Sequence, residues 1–210
     1  MLRISLALVL LLVIGSGLPA PRVSAQPAPL KIVTSIHPIA DMVQNVGGDR
    51  VDVTALVPFG GEPEDYDPTP ADATAVSKAR VFFANGLGME EYLDRLVESA
   101  GNPQLEVVTL SDGLPTINGF GQGEEEGGNP HMWMDVQNAM SYVDVIQQTL
   151  DRVDPPGAAT YDANATTYKA KLKLLDQYIQ QAVNALPKDR RVNKVRDSKA
   201  LTEREREALF

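Results

Sequence analysis

The sequence predicts an α/β fold: a parallel four-stranded sheet with helices on both faces, then one long rigid helix. Three observations predict it. Short β-branched runs alternate with helix-patterned segments between residues 30 and 110. Proline opens, or glycine closes, most of those helical segments. A single apolar seam then runs from Tyr161 to Leu186. Alternation at this spacing implies right-handed crossovers, hence parallel strands buried on both faces.

"LKIVTS" (30–35) reads as the first strand, and "PIADMVQNVGG" (38–48) as a helix with Pro38 in its first turn and glycines at its end. "VDVTALV" (51–57) is the second strand. "TPADATAVSKA" (69–79) is a helix with Thr69 as N-cap and Pro70 at its first position. "VFFAN" (81–85) is the third strand, "MEEYLDRLVESAG" (89–101) the third helix, and "LEVVTL" (105–110) the fourth strand. A polar loop from Ser111 to Pro130 carries Glu124, Glu125 and Glu126 among glycines. "DVQNAMSYVDVIQQTLDRV" (135–153) then reads as a helix capped by Asp135, with Ala139, Val143, Ile146, Leu150 and Val153 on one face.

The seam is the most regular feature of the chain. Asp154 and Pro155 begin a helix in which Tyr161, Ala165, Tyr168, Leu172, Leu175, Ile179, Ala182 and Leu186 recur in steps of four and three. Such a span is ~45 Å long and close to a heptad repeat. It suits a strut, and it predicts weak self-association as a homodimer, centred on Leu175 and Ile179. Asn164-Ala165-Thr166 matches a glycosylation triplet, but its place in mid-helix makes the match one of chance. After Pro187 the composition shifts, and residues 188–210 hold eight of the nineteen lysines and arginines.

At the other end, Arg3 precedes an eleven-residue apolar run from Ile4 to Ile14, with small residues at Val23-Ser24-Ala25. A membrane-spanning helix needs ~20 apolar residues, so residues 1–25 read as a cleaved secretory signal peptide. The chain has no cysteine. That excludes disulfides, thiolate ligands, a cysteine nucleophile and lipid attachment through an N-terminal cysteine. The expectation is a periplasmic or extracellular protein with no lipid anchor. Its domains would be the signal (1–25), an α/β lobe (26–153), a linker helix (154–187) and a charged tail (188–210).

The formal net charge is −9, from 28 acidic and 19 basic residues. Such a chain repels nucleic acid and anionic lipid and attracts cations. Gly86-Leu87-Gly88 gives half of a dinucleotide fingerprint, but its third glycine falls on Glu91, whose charge would repel a pyrophosphate. There is neither a G-x-x-x-x-G-K-[ST] loop nor a G-x-S-x-G elbow. No nucleophile–base pair stands out, and the expectation is a binding protein rather than an enzyme.

Oxygen and nitrogen ligands remain, in loops at the carboxyl edge of the sheet, where parallel sheets bind ligands. "SIHP" (35–38), "PFGGEPEDYDPTPAD" (58–72) and "NPHMWMD" (129–135) can bring His37, Glu64 and His131 toward one cation. His37 and His131 are the only histidines. A metal-assisted hydrolase using His131 and Glu64 is one alternative on these residues. A degenerate chain without useful metal affinity is another.

"IVTSIHPIADMVQNVGGDRVDVTALVP", "DYDPTPAD", "NGLGMEEYLDRLVESAG", "NPHMWMD" and the long helix occur in an order that resembles the zinc- and manganese-type metal-binding proteins of ABC importers. The resemblance covers about residues 30–187. It implies two α/β lobes joined by a rigid helix, with Zn²⁺ or Mn²⁺ held as cargo between them and passed to an ABC transporter permease. It makes the histidine of "NPHMWMD", His131, a metal ligand. Where the family has histidine in H-x-Y-x-P, "EDYDP" puts Glu64, and an oxygen donor shifts preference toward harder ions. The remaining two ligands would come from a second lobe, which is expected to be absent because the likeness fades after Arg190.

Overall fold

The structure, a computed structural model, describes residues 28–116 and 128–185. The expected leader, the run Glu124–Glu126, Leu186 and the charged tail lie outside the described residues. Strands β1 (Leu30–Thr34), β2 (Val51–Ala55), β3 (Val81–Ala84) and β4 (Glu106–Thr109) form one sheet in the order β2-β1-β3-β4. Every pairing is parallel, with Thr34 level with Ala55 and Phe83, and Ala84 level with Thr109. The strands therefore end along one edge. The order reverses direction between β1 and β3, and that reversal opens a crevice at the carboxyl edge.

The helices are α1 (His37–Gly47), α2 (Pro70–Lys78), α3 (Leu93–Ala100), α4 (Val136–Val153) and α5 (Ala158–Ala185). Period-two alternation sends consecutive strand residues to opposite faces. Ile32, Val81 and Phe83 join one core with Ile39, Val43, Tyr142, Val143, Ile146 and Tyr161 of α1, α4 and α5. Val33, Phe82 and Ala84 join the other, with Val76 and Leu96 of α2 and α3. Among the described residues, no helix is long and apolar enough to cross a membrane.

Helix starts follow their capping chemistry. The Asp72 carboxylate accepts from the Thr69 backbone N–H at 2.6 Å and from its hydroxyl at 2.7 Å, and Pro70 lies at the start of α2. Asp135 accepts from the backbone N–H groups of Gln137 (2.7 Å) and Asn138 (3.2 Å), which heads α4 as expected.

The third helix departs from expectation. It starts at Leu93, not at residue 89. The Glu90 carboxylate turns back to accept the N–H groups of Asn85 (2.8 Å) and Gly86 (2.9 Å). Gly86, Leu87 and Gly88 all have positive φ, a wrapped conformation incompatible with a right-handed helix. The same bonds correct the reason for excluding a nucleotide. The two backbone donors are already taken by a carboxylate of this chain, and it belongs to Glu90; Glu91 is exposed.

Helix α5 begins after a tight turn at Pro155–Gly157. Tyr161 and Ala165 are buried, Tyr168 and Leu172 pack partly against the core, and Leu175 and Ile179 of the same seam are exposed. Asn164 donates to the Val46 carbonyl at 3.0 Å, so its amide is already engaged in fastening α5 to α1.

Candidate metal centre

Glu64 and His131 reach the crevice from two loops. The first leaves β2 by continuing its ladder, since Leu56 N–H donates to Thr34 and Val57 N–H to Ser35. It turns at Glu64 and is then anchored by Tyr66. The Tyr66 hydroxyl donates to Asp72 at 2.8 Å, and its ring meets Tyr92 edge-on at 5.5 Å. Burial, and then the hydrogen bond to Asp72, push the Tyr66 hydroxyl up to about 12, so it remains a donor throughout the neutral range.

The second loop, over residues 129–133, is bonded internally. The Asn129 side-chain oxygen lies 2.9 Å from the His131 backbone N–H and 3.0 Å from the His131 ring Nδ1. A backbone N–H can only donate, so the atom it meets must be the amide oxygen. Nδ1 must then carry a proton to share that oxygen, and in the neutral ring this leaves the lone pair on Nε2. This is how ligating imidazoles are usually oriented, with the second nitrogen donating to an oxygen. Trp133 lies against the ring, centroids 5.3 Å apart.

Nε2 of His131 is 4.0 Å from Oε1 of Glu64, and both side chains are about half exposed (45% and 47%). Two donors on a tetrahedral ion with bonds of ~2.1 Å stand about 3.4 Å apart. The pair needs to close by only about half an ångström to share a cation. A nitrogen and a carboxylate oxygen suit zinc and manganese alike.

His37 is not gathered with them. Its Nδ1 lies 3.1 Å from the Val57 carbonyl and its ring meets Phe59 at 5.7 Å. It lines a cavity of about 290 Å³ together with Phe59, Pro63, Trp133 and Met134. Among the described residues, no group of three or more His, Cys, Asp or Glu side chains could hold a metal ion. The structure thus pairs His131 with Glu64 and leaves His37 on a neighbouring wall. Sequence reasoning missed Asn129, whose place two residues before His131, across a proline, was the available signal.

Comparison with known proteins identifies the family. Residues 32–196 match the family model described as zinc-uptake complex component A periplasmic, ZnuA. The chain belongs to this family. The match runs past Arg190, where the likeness was expected to fade. The manganese-binding lipoprotein MntA of Halalkalibacterium halodurans is 45% identical over 162 residues, covering 77% of this chain and 52% of that protein. The manganese ABC transporter substrate-binding lipoprotein PsaA of Streptococcus pneumoniae is 32% identical over 168 residues, covering 78% and 54%. A manganese-bound periplasmic metal binding protein from candidatus liberibacter asiaticus superposes with a TM-score of 0.61 at 33% identity, covering 67% of this chain and 52% of that one. A crystal structure of ZnuA gives 0.70 at 28% identity, covering 76% and 60%. The chain spans about half the length of the curated relatives it matches.

These names correct one expectation. The relatives are lipoproteins, which overturns the reading of an exported protein without a lipid anchor. The lack of cysteine in this sequence excludes one attachment chemistry within these 210 residues. It does not establish that a protein of this family is free of the membrane.

Proposed function

We propose that this chain supplies one wall of the metal site of an ABC importer's substrate-binding protein, with Zn²⁺ or Mn²⁺ as cargo. One observation carries the reading: Nε2 of His131 lies 4.0 Å from the Glu64 carboxylate, while Asn129 engages the other ring nitrogen. His131 supplies nitrogen and Glu64 oxygen. His37, whose Nδ1 faces a carbonyl and whose Nε2 is therefore the free nitrogen, stands beside them as a third donor that a modest loop movement would have to bring in. Two or three donors fall short of the four that close a structural zinc site, so affinity in this chain is weak and cargo leaves readily. Delivery goes to a membrane permease of the importer.

The division of labour along the chain follows. Residues 1–25 serve export, 26–153 form the metal-binding lobe, 154–187 the connecting helix and 188–210 a charged extension. The apolar face of α5 beyond Leu172 pairs with a second copy, at micromolar rather than nanomolar strength because Lys169, Lys171 and Lys173 flank it.

Calorimetric titration of the 210-residue chain with ZnCl₂, beside His131→Ala, tests the metal reading. The variant is expected to lose about tenfold or more in affinity, and the parent chain binds less as the solution is acidified, since metal and proton compete for the His131 imidazole. Equal zinc binding by the two proteins would remove His131 from the site.

A further inference from the structure

We propose that Asn85 and Tyr142 are positioning residues for the metal loop, acting through the Pro130 carbonyl to hold His131 opposite Glu64. The proposal rests on the reading of His131 as a ligand. Asn85 is fully buried directly after β3, beside the crevice where the sheet order reverses. Its side chain makes three hydrogen bonds. Nδ2 donates to the Gly86 carbonyl at 3.0 Å and to the Pro130 carbonyl at 2.8 Å, while Oδ1 accepts from the Tyr142 hydroxyl at 2.7 Å.

The orientation of that amide is forced. A carbonyl can only accept, so the atom facing Pro130 is nitrogen, and the oxygen is left to Tyr142. Tyr142 lies on α4 with no exposure. Burial first, and the nearby Glu90 charge second, raise its hydroxyl well above the ordinary phenol range, so it is a proton donor at any working pH. Proline has no N–H, and its carbonyl is the one backbone group by which residue 130 can be held. That carbonyl also accepts the Met132 N–H at 2.8 Å. A strand end, the ligand loop and a core helix are therefore joined around one amide, one residue away from His131.

Asn129 and Asn85 have separate tasks. Asn129 sets which ring nitrogen is free, and Asn85 sets where the loop stands. Loss of Asn85 leaves the tautomer intact and lets the imidazole wander from Glu64. Partners that orient a ligand in this way are typically worth 10–100-fold in metal affinity.

The test uses the whole chain, Zn²⁺ alone as probe, and the sole tryptophan, Trp133, as reporter of the loop. Asn85→Ala and Tyr142→Phe are compared with His131→Ala and with Tyr161→Phe, which deletes another buried tyrosine hydroxyl outside the loop. Asn85→Ala and Tyr142→Phe are expected to weaken zinc binding about tenfold and to raise acrylamide quenching of Trp133. Tyr161→Phe is expected to lower the melting temperature while leaving both readouts unchanged. If Asn85→Ala does not fold, Tyr142→Phe, which keeps the ring, decides. Zinc affinity and quenching unchanged in Tyr142→Phe, with His131→Ala still defective, would overturn the proposal and leave the metal reading standing. An equal loss of zinc affinity in Tyr161→Phe would overturn it as well, by reducing it to general stability. Undiminished zinc binding in His131→Ala would sink the metal reading, and the proposal with it.

Discussion

The two halves of α5 are one continuous helix with one apolar period, yet they live in different solvents. From Tyr161 to Leu172 the seam faces α1 and α4, and polar fasteners line its flanks. Tyr168 donates to Asp41 at 3.0 Å, Asn164 holds the Val46 carbonyl, and Lys169 pairs with Asp144. The Gln137 amide reaches Asp176 at 3.0 Å. Beyond it, Tyr178, Ile179 and Val183 are exposed, as are Leu174 and Leu175 just before. Periodicity specifies which side of a helix is apolar. It does not specify how far along the helix a partner extends.

The sharpest way to break the comparison is Tyr161→Ala. Its ring is fully buried and its hydroxyl donates to Asp154 at 2.6 Å. Aromatic truncation in a core costs ~3–5 kcal/mol, so urea denaturation should show that loss, and helix content should fall with it if the first half anchors the second. A cost below about 1 kcal/mol would show that α5 is not held by its first turns.

A smaller effect tests α4, the surface on which α5 rests. Arg152 bonds to Glu106 of β4 at 2.6 Å and holds that carboxyl below its ordinary value. A depressed folded-state value means that the unfolded chain takes up the proton first. The stabilisation is therefore complete above the unfolded carboxylate value of ~4.3 and fades as pH falls toward the folded one. Arg152 is largely exposed, so Glu106→Gln should cost only ~0.2–1 kcal/mol at neutral pH. The gap to the parent should close in strong acid. A gap that is the same at both pH values would show that the ion pair contributes nothing.

The smallest expected effect belongs to the far half of α5. Leu175→Lys with Ile179→Glu should change monomer stability by less than about 0.5 kcal/mol, because those side chains, 46% and 42% exposed, have little burial to lose. The same double variant should abolish concentration-dependent sedimentation at micromolar loading. A parent chain that stays monomeric at every concentration would rule out the pairing.

Much of the fold was legible because it is local. The four strands sit where β-branched runs were found, and Thr69 and Asp135 head their helices through bonds made within three residues. The start of α3 was not legible, because the bonds from Glu90 to the preceding backbone compete with helix over the same few residues. The contacts that hold the loop carrying His131 were hidden for a different reason. Asn85 meets Pro130 across 45 positions and Tyr142 across 57, and no periodicity links residues so far apart. Loop placement and family resemblance coincided on His131 and Glu64, whose side chains stand 4.0 Å apart. His37 was named on loop placement alone, and its Nδ1 lies 3.1 Å from the Val57 carbonyl.

The carboxylate of Glu90 at the end of β3 has a consequence for what can approach this edge. A phosphate would seek the backbone donors at Asn85 and Gly86, where parallel sheets commonly receive phosphate, and would find both already bonded to the Glu90 carboxyl group. Nor can the loop open a wider seat by changing Gly86, since a Cβ at that residue would fall 2.3 Å from the Thr109 methyl group. The protein thus fills these two donors with a side chain of its own. A phosphate group arriving at this edge therefore finds no pair of free backbone donors at Asn85 and Gly86.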